Sequence, residues 1–391
     1  MSGRARDGSR AAARPADYYE AVRGRLFAGT GCVILLILLA LAGCDVRIRP
    51  VYSSPGVDAA ILDCPPGMVG FATAPSADGA FTTTTGGGAA PPVTVDAADP
   101  RALDQFKTYA DRKTGSAVIE IRGLISFAGS SSSQIRVASN TTVLGMDSAS
   151  GFTGGGLDLN GSRNVIIKNL TIAKATDTDA ITIQGPDATN IWIDHCDLSS
   201  EWHADGASYD GLVDITHAAD WITVSWTRFH DHRDTGIVGH SDSNGTEDTG
   251  HLHVTYEHDL FQRVDAGPRV RFGTVHVFNV FFDQVTYYGV ASTMSAHVRV
   301  ESSFFRDVTA AGLDPAYGPI TTRLPESDPT GAGFVDLVNN LEERSGAPDV
   351  TAGQIDPWDP LTFYKYTADA PTSAPALVQS CAGPRPTVTG P

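Results

Sequence analysis

The chain has 391 residues, with 45 Asp and Glu against 28 Lys and Arg, a formal charge of -17 at pH 7. Apolar residues make up 41% and charged residues 19%, a globular composition, and 40 Gly with 23 Pro argue against a helical bundle. The acidic balance disfavours nucleic acid as a partner, because phosphate binding needs basic patches that release counterions.

Residues 1–43 carry six Arg and three acids, so they contribute +3 and leave -20 for the remainder. Arg23 and Arg25 precede an almost wholly apolar run from Cys32 to Leu41. A cationic flank before so short an apolar run predicts a secretory signal. The run ends in Leu41-Ala42-Gly43-Cys44, which resembles a bacterial lipobox, so Cys44 is the expected lipidation position. An uncleaved N-terminal anchor is the alternative. Either reading places the rest of the chain outside the cytoplasm, held at a membrane by acyl chains or by the anchor. Residues 44–61 then form a tether, and 62–385 one domain, expected to be monomeric. Cys64 and Cys381 flank that domain in a compartment that permits disulfides, and a bridge between them is one arrangement the spacing allows. Cys196 lies in an apolar strand pattern and reads as a buried thiol.

Within the domain, a stretch around Pro100–Asp111 predicts a short helix, and strands are expected at Ala117–Ile121 and Gln134–Val137. Six segments then share one template: apolar, any, apolar, any, Z, any, any, apolar. They begin at Val165, Ile191, Ile222, Val254, Val275 and Val298. Their Z residues are Asn169, His195, Trp226, His258, Asn279 and Ser302, spaced by 26, 31, 32, 21 and 23 residues. Self-similarity at this spacing, with one short strand per unit, predicts an all-β solenoid, a parallel β-helix whose stacked turns bury a continuous core. A β-sandwich would call for hairpin turns at closer intervals. Aligned polar Z residues can bond from coil to coil. Beyond Pro315 the pattern weakens apart from Phe334–Leu341, and the Pro-, Thr- and Ala-rich C-terminus is expected along the outside.

The candidate chemistry is concentrated mid-chain. Asp177-Thr-Asp179 and Asp210-Gly-Leu-Val-Asp214 precede successive repeats. On stacked coils, equivalent positions lie about 5 Å apart. Acids on neighbouring coils therefore converge, and their repulsion shifts their pKa values unless a cation intervenes. Carboxylate oxygens suit Ca²⁺, and solvated turn acids are the alternative. Arg263 and Arg269-Val-Arg271 form a basic cluster suited to carboxylate recognition or to local ion pairing. His230-Asp-His232 and His251-Leu-His253 would each place two imidazoles on one strand face, with hydrogen bonding favoured over zinc. Asn160-Gly-Ser162 and Asn244-Gly-Thr246 are glycosylation sequons of little weight in a bacterial lipoprotein.

Several motifs together resemble the pectate lyase family of polysaccharide lyases, which are pectate lyase C-like right-handed parallel β-helices. They are Asn190-Ile-Trp-Ile-Asp-His195, Tyr209-Asp-Gly-Leu-Val-Asp-Ile215, Ile222-Thr-Val-Ser-Trp-Thr-Arg-Phe-His-Asp-His232, Gly239-His-Ser-Asp242 and Pro268-Arg-Val-Arg-Phe-Gly-Thr-Val-His-Val-Phe-Asn279. The resemblance runs from about Gly70 to Phe305. It implies Ca²⁺-dependent β-elimination of polygalacturonate, with Asp179, Asp210 and Asp214 holding the ion and Asp177 assisting. It also implies that Arg271 binds substrate, with Arg269 and Arg233 beside it. Two positions depart from the family pattern. The base arginine, expected two residues before Pro268, is Ala266, and Arg263 could replace it only through a rearranged loop. The lysine expected after the His-Asp-His unit is Asp234. Three readings stay open: an active lyase, a β-helix that binds acidic polysaccharide without catalysis, and a polygalacturonase-like hydrolase needing paired acids.

Overall fold

In a computed structural model, the described residues are 64–386 apart from 66, 77, 203–207, 310–316 and 325–330. The leader, Cys44 and the tether lie outside them. Among the described residues, strands assemble into three parallel sheets of ten, nine and eight strands. The chain visits the three sheets in turn. Thr189–Asp194 enters the ten-stranded sheet, Asp197–Ser199 the nine-stranded and Val213–Thr216 the eight-stranded, before Asp220–Ser225 returns to the first. The fold is a right-handed parallel β-helix, as the repeat predicts.

The template is explained position by position. Its first and third residues, such as Val165 and Ile167, point into the core from the ten-stranded sheet. Its last residue enters the core from the nine-stranded sheet. There Phe229, Phe261, Phe282 and Phe305 stack at centroid separations of 4.5, 5.0 and 4.7 Å. The Z residue is the corner between the two sheets. Asn169, His195, Trp226, His258, Asn279 and Ser302 all take left-handed φ, between 48° and 60°. That conformation is uncommon outside Gly and easiest for Asn, so the corner must be held from outside itself. Asn169 donates to the carbonyl of Gly145 one coil away, and Asn279 to that of Ser302. Trp226 is sandwiched between the rings of His195 and His258. Cross-coil bonding therefore occurs, mostly from amide to backbone, with aromatic stacking where the corner residue is a ring.

Helix α1 (Ala102–Ala110) closes one end of the solenoid by setting Phe106 against Phe152, 4.7 Å between centroids. It lies where a short helix is expected. Covering an end in this way protects core and strand edge from pairing with another chain. The C-terminal segment runs back along the outside. Tyr366 donates to Glu301, Asp369 accepts from His258, and the Arg385 amide donates to Asn169. Cys381, in helix α2 (Ala374–Cys381; the four-residue turn Gly245–Asp248 is left unlabelled), is bonded to Cys64 across 317 residues. Cys196 is buried and unpaired, its thiol pushed up to about 12 by desolvation. No helix among the described residues is long and apolar enough to cross a membrane.

A bridge closing so long a loop is worth about 2–5 kcal/mol, chiefly through the unfolded chain. Cys381→Ser should therefore lower the Tm by several degrees in differential scanning calorimetry. Reductant should produce the same fall in the parent protein and none in the variant.

Candidate active site

Apart from Arg233 and Arg263, which lie in strands of the nine-stranded sheet, the candidate residues gather on the eight-stranded sheet and the turns leading into it. Thr182 stands in register with Asp214, one coil apart. Farther along, Ile237 pairs with Arg269. The Ile237 amide donates to Asp214 Oδ1 at 3.2 Å, so Ile237 lies beside Asp214 on the next coil. Arg269 is thus two coils from Asp214 in one outward column.

Asp179 accepts from the Thr182 hydroxyl at 2.7 Å and from the Gly211 amide at 2.9 Å. Gly211 separates Asp179 from Asp214, both half-buried, so narrowly that a Cβ there would stand 2.4 Å from Asp214 Oδ1 and 3.1 Å from Asp179 Oδ1. Any side chain at 211 would fill the space between the carboxylates. Burial, then the charge of Asp210, pushes Asp179 above the usual carboxylate range. Burial, then Asp179 and Asp210, pushes Asp214 well above it, while Arg271 partly offsets the effect. These three acids are therefore one electrostatic group. Asp177, its φ left-handed at 57°, donates its amide to Ser208 O at the rim.

Among the described residues, no three His, Cys, Asp or Glu side chains are already drawn together as a metal cage. The donor chemistry nevertheless fits a hard divalent cation. The oxygens are carboxylates, Asp179 and Asp214 are half-buried, and each raises the other's cost of ionisation. His232 holds the frame. Burial lowers its pKa to about 4, so the ring is neutral. Its Nε2–H donates to Asp210 O at 2.7 Å while Nδ1 accepts from Ser200 at 2.5 Å.

The arginines divide into two sets. Arg271 Nε donates to Asp242 Oδ1 at 2.6 Å, and Arg269 Nη2 to the same oxygen at 3.2 Å. Arg271 also donates to Gly239 O at 3.0 Å. One carboxylate thus holds two like charges side by side. Arg233 turns to Asp234 at 2.8 Å. Arg263 is elsewhere. It grips Asp231 through two hydrogen bonds of 2.7 and 2.6 Å, which raise its own pKa and lower that of Asp231 to about 2. Its electrostatic neighbours are Asp231 and Asp283, not the Asp179 group.

Register explains this placement. Arg263 belongs to a column of left-handed residues that bend the strands of the nine-stranded sheet, with Lys174, Asp231, Gln284, Asp307 and Arg344. Within that column Arg344 pairs with Asp307 as Arg263 pairs with Asp231. The left-handed Asp231 also breaks the alternation expected of His230 and His232. His230 binds Asp197 and Asp231 at half-buried positions, whereas His232 is buried. His251 and His253 both turn to Asp220. Sequence reasoning did not find Thr182, Gly211 or Asp242 as parts of the site. Asp242 was visible only as the end of the Gly239-His-Ser-Asp242 motif.

A family model described as pectate lyase matches residues 67–383. The chain is 41% identical over 235 residues to a probable pectate lyase B of Aspergillus flavus, covering 59% of this chain and 68% of that one. It is 42% identical over 280 residues to pectate lyase B of Colletotrichum gloeosporioides, covering 71% and 77%. Among solved structures, it is similar to a pectate lyase of Bacillus sp. N165 in complex with trigalacturonate. The TM-score is 0.69 and the identity 26%, over 81% of this chain and 99% of that one. With the β-helix and the acid–arginine face in place, these likenesses settle the family: the chain belongs to the pectate lyase family of polysaccharide lyases.

Proposed function

We propose that this protein cleaves polygalacturonate by Ca²⁺-dependent β-elimination outside the cytoplasm, tethered to a membrane by acyl chains on Cys44. The observation that carries the reading is the union, on one face, of the Asp179–Asp210–Asp214 group with the Arg269–Arg271 pair. Support for the substrate comes from the Bacillus relative solved with trigalacturonate. The cationic leader and the Cys64–Cys381 bridge support an exported site.

The proton to be removed lies alpha to a uronate carboxylate and is only weakly acidic. Asp179, Asp210 and Asp214 would hold Ca²⁺, with Asp177 at the rim. Once bound, the ion would neutralise the uronate carboxylate and stabilise the charge that develops beside it. Arg271 and Arg269 would orient the same or a neighbouring carboxylate through their remaining N–H groups. Their side chains are largely buried, which strengthens each charge–charge contact. Asp242 keeps the pair from splaying, and His232 keeps the Asp210 turn in place.

The deciding experiment incubates purified protein with polygalacturonate and Ca²⁺ and follows ultraviolet absorbance of the unsaturated uronate product. Product formation should stop with a chelator and resume with added Ca²⁺. New reducing ends without absorbance would mean hydrolysis, and binding with neither would mean no catalysis. Asp214→Asn should abolish both turnover and the rise in Tm that Ca²⁺ produces in the parent protein. Arg263→Ala should keep kcat within about twofold, because its partner Asp231 lies outside the acid group, and should lower the Tm instead. Asp242→Ala removes two charge-assisted hydrogen bonds, each worth about 1.5–3 kcal/mol. Its kcat/KM on polygalacturonate should therefore fall by about ten- to a hundredfold. Asp242→Asn keeps an oxygen acceptor and should lose less.

A further inference from the structure

A second group of ligating side chains stands where the eight-stranded sheet gives way to the turns that follow it. Strand Val213–Thr216 runs into His217, and strand Ile237–Val238 runs through Gly239 into His240. Ile215 pairs with Val238, so His217 and His240 fall at equivalent positions on adjacent coils. Their rings lie side by side, with 4.7 Å between centroids and a tilt of 35°. His217 is half-buried and His240 exposed, so neither ring serves the core. Nothing among the described residues hydrogen-bonds the His240 ring.

His217 Nδ1 lies 2.9 Å from Glu247 Oε2. A carboxylate only accepts, so Nδ1 carries the proton and the neutral ring keeps its lone pair on Nε2. Asn244 donates to the same Glu247 oxygen at 2.8 Å and to Asp248 Oδ2 at 2.9 Å, which fixes the carboxylate in turn. A carboxylate behind an imidazole is the arrangement that orients metal-ligating histidines and raises their basicity. The backbone is committed as well. His217 and Ala218 both take left-handed φ, 56° and 61°, and the Ala218 amide donates to Asp248 Oδ1 at 2.9 Å. Spacing fits a shared ion. Two imidazoles bound to one tetrahedral Zn²⁺ through nitrogens about 2.0–2.1 Å away have centroids about 5 Å apart. The pair already stands near that separation, and the exposed, unbonded His240 ring is free to turn a nitrogen toward His217 Nε2.

We propose that His217 and His240 bind one first-row divalent cation of the Zn²⁺ class, with Glu247 behind His217 and water in the remaining positions. The site is separate from the Asp179–Asp210–Asp214 group and does not rest on the lyase reading. Imidazole nitrogens suit Zn²⁺, Cu²⁺ and Ni²⁺, whereas Ca²⁺ takes oxygen, so the two sites select different ions. His240 stands two residues before Asp242. An ion shared with His217 would therefore tie the turn that carries Asp242 to the preceding coil.

The test titrates the untagged full-length protein with Zn²⁺ in a calorimeter, in saturating Ca²⁺ so that the acid group is filled. One Zn²⁺ should bind per chain, and it should raise the Tm, as a ligand of the folded state does. His240→Ala alters an exposed side chain and should fold like the parent, yet weaken Zn²⁺ binding about tenfold or more and erase the rise in Tm. His217→Asn, with a residue that tolerates left-handed backbone, should do the same. Glu247→Ala should weaken binding about tenfold or more, because losing such a carboxylate costs about 10- to 100-fold in metal affinity. His251→Ala removes another exposed imidazole and should leave binding unchanged. Zn²⁺ uptake that is absent in saturating Ca²⁺ overturns the assignment. So does uptake that any of the first three substitutions leaves within about threefold, or that His251→Ala abolishes. A protein that binds Zn²⁺ as expected but forms no unsaturated product from polygalacturonate keeps this site and loses the lyase reading alone.

Discussion

Every feature of this molecule answers to the spacing of about 4.8 Å between successive coils. Parallel in-register stacking sets each residue beside its counterpart, so any choice is repeated along a column. Apolar columns profit at once, as the Phe229–Phe261–Phe282–Phe305 stack shows, with two of its three contacts within 2° of parallel. Corners do not. Each must adopt a left-handed backbone that most side chains resist. The molecule meets that cost by bonding each corner outward, to a carbonyl one coil away or to the rings above and below. The C-terminal segment completes the arrangement, since Asn169 and Asn279 also bind its backbone.

For charges the same spacing is unforgiving. Like charges a coil apart must find compensation or remain partly neutral. The columns show two solutions. Along a corner column of the nine-stranded sheet, opposite charges on adjacent coils pair off, Asp231 with Arg263 and Asp307 with Arg344, with the neutral Gln284 between the pairs. On the eight-stranded sheet the acids face one another across Gly211, with hydrogen bonds from Thr182, Gly211 and Ile237 and the charge of Arg271 offsetting their repulsion in part. Two half-buried carboxylates forced together in this way are unfavourable for folding alone. Their persistence is intelligible if a cation completes them, which is why the site, and not the corner column, is where chemistry is expected.

Fold and site were legible to different depths. The template at Val165, Ile191, Ile222, Val254, Val275 and Val298 could be read because core contact and corner fall at fixed offsets within one coil. The acids could be read for the same reason: Asp179 and Asp214 lie beside successive repeats. Contacts that depend on cross-coil register could not. Nothing in the order of residues says that Arg263 follows Asp231 in a corner column, or that Arg269 and Arg271 share one oxygen of Asp242. Local alternation failed at His230 and His232 because a left-handed Asp231 intervenes, and such a residue has no signature in hydropathy.

The acidity of the chain takes its meaning from this geography. A domain near -20 would repel a polyanion if its charge were spread evenly, yet the face described here is locally different. Asp242 holds Arg269 and Arg271 side by side through one carboxylate oxygen. A divalent ion among Asp179, Asp210 and Asp214 would cancel most of the negative charge those acids carry. Without the ion, the acids would turn a polyuronate away. With it, the same acids become the reason the polymer stays. Net acidity elsewhere on the solenoid then favours release, because a cleaved fragment that leaves the site meets a surface of like net charge. An acidic β-helix is thus suited to a polyanionic substrate, provided that the attraction is confined to one face and depends on a cation the chain must acquire.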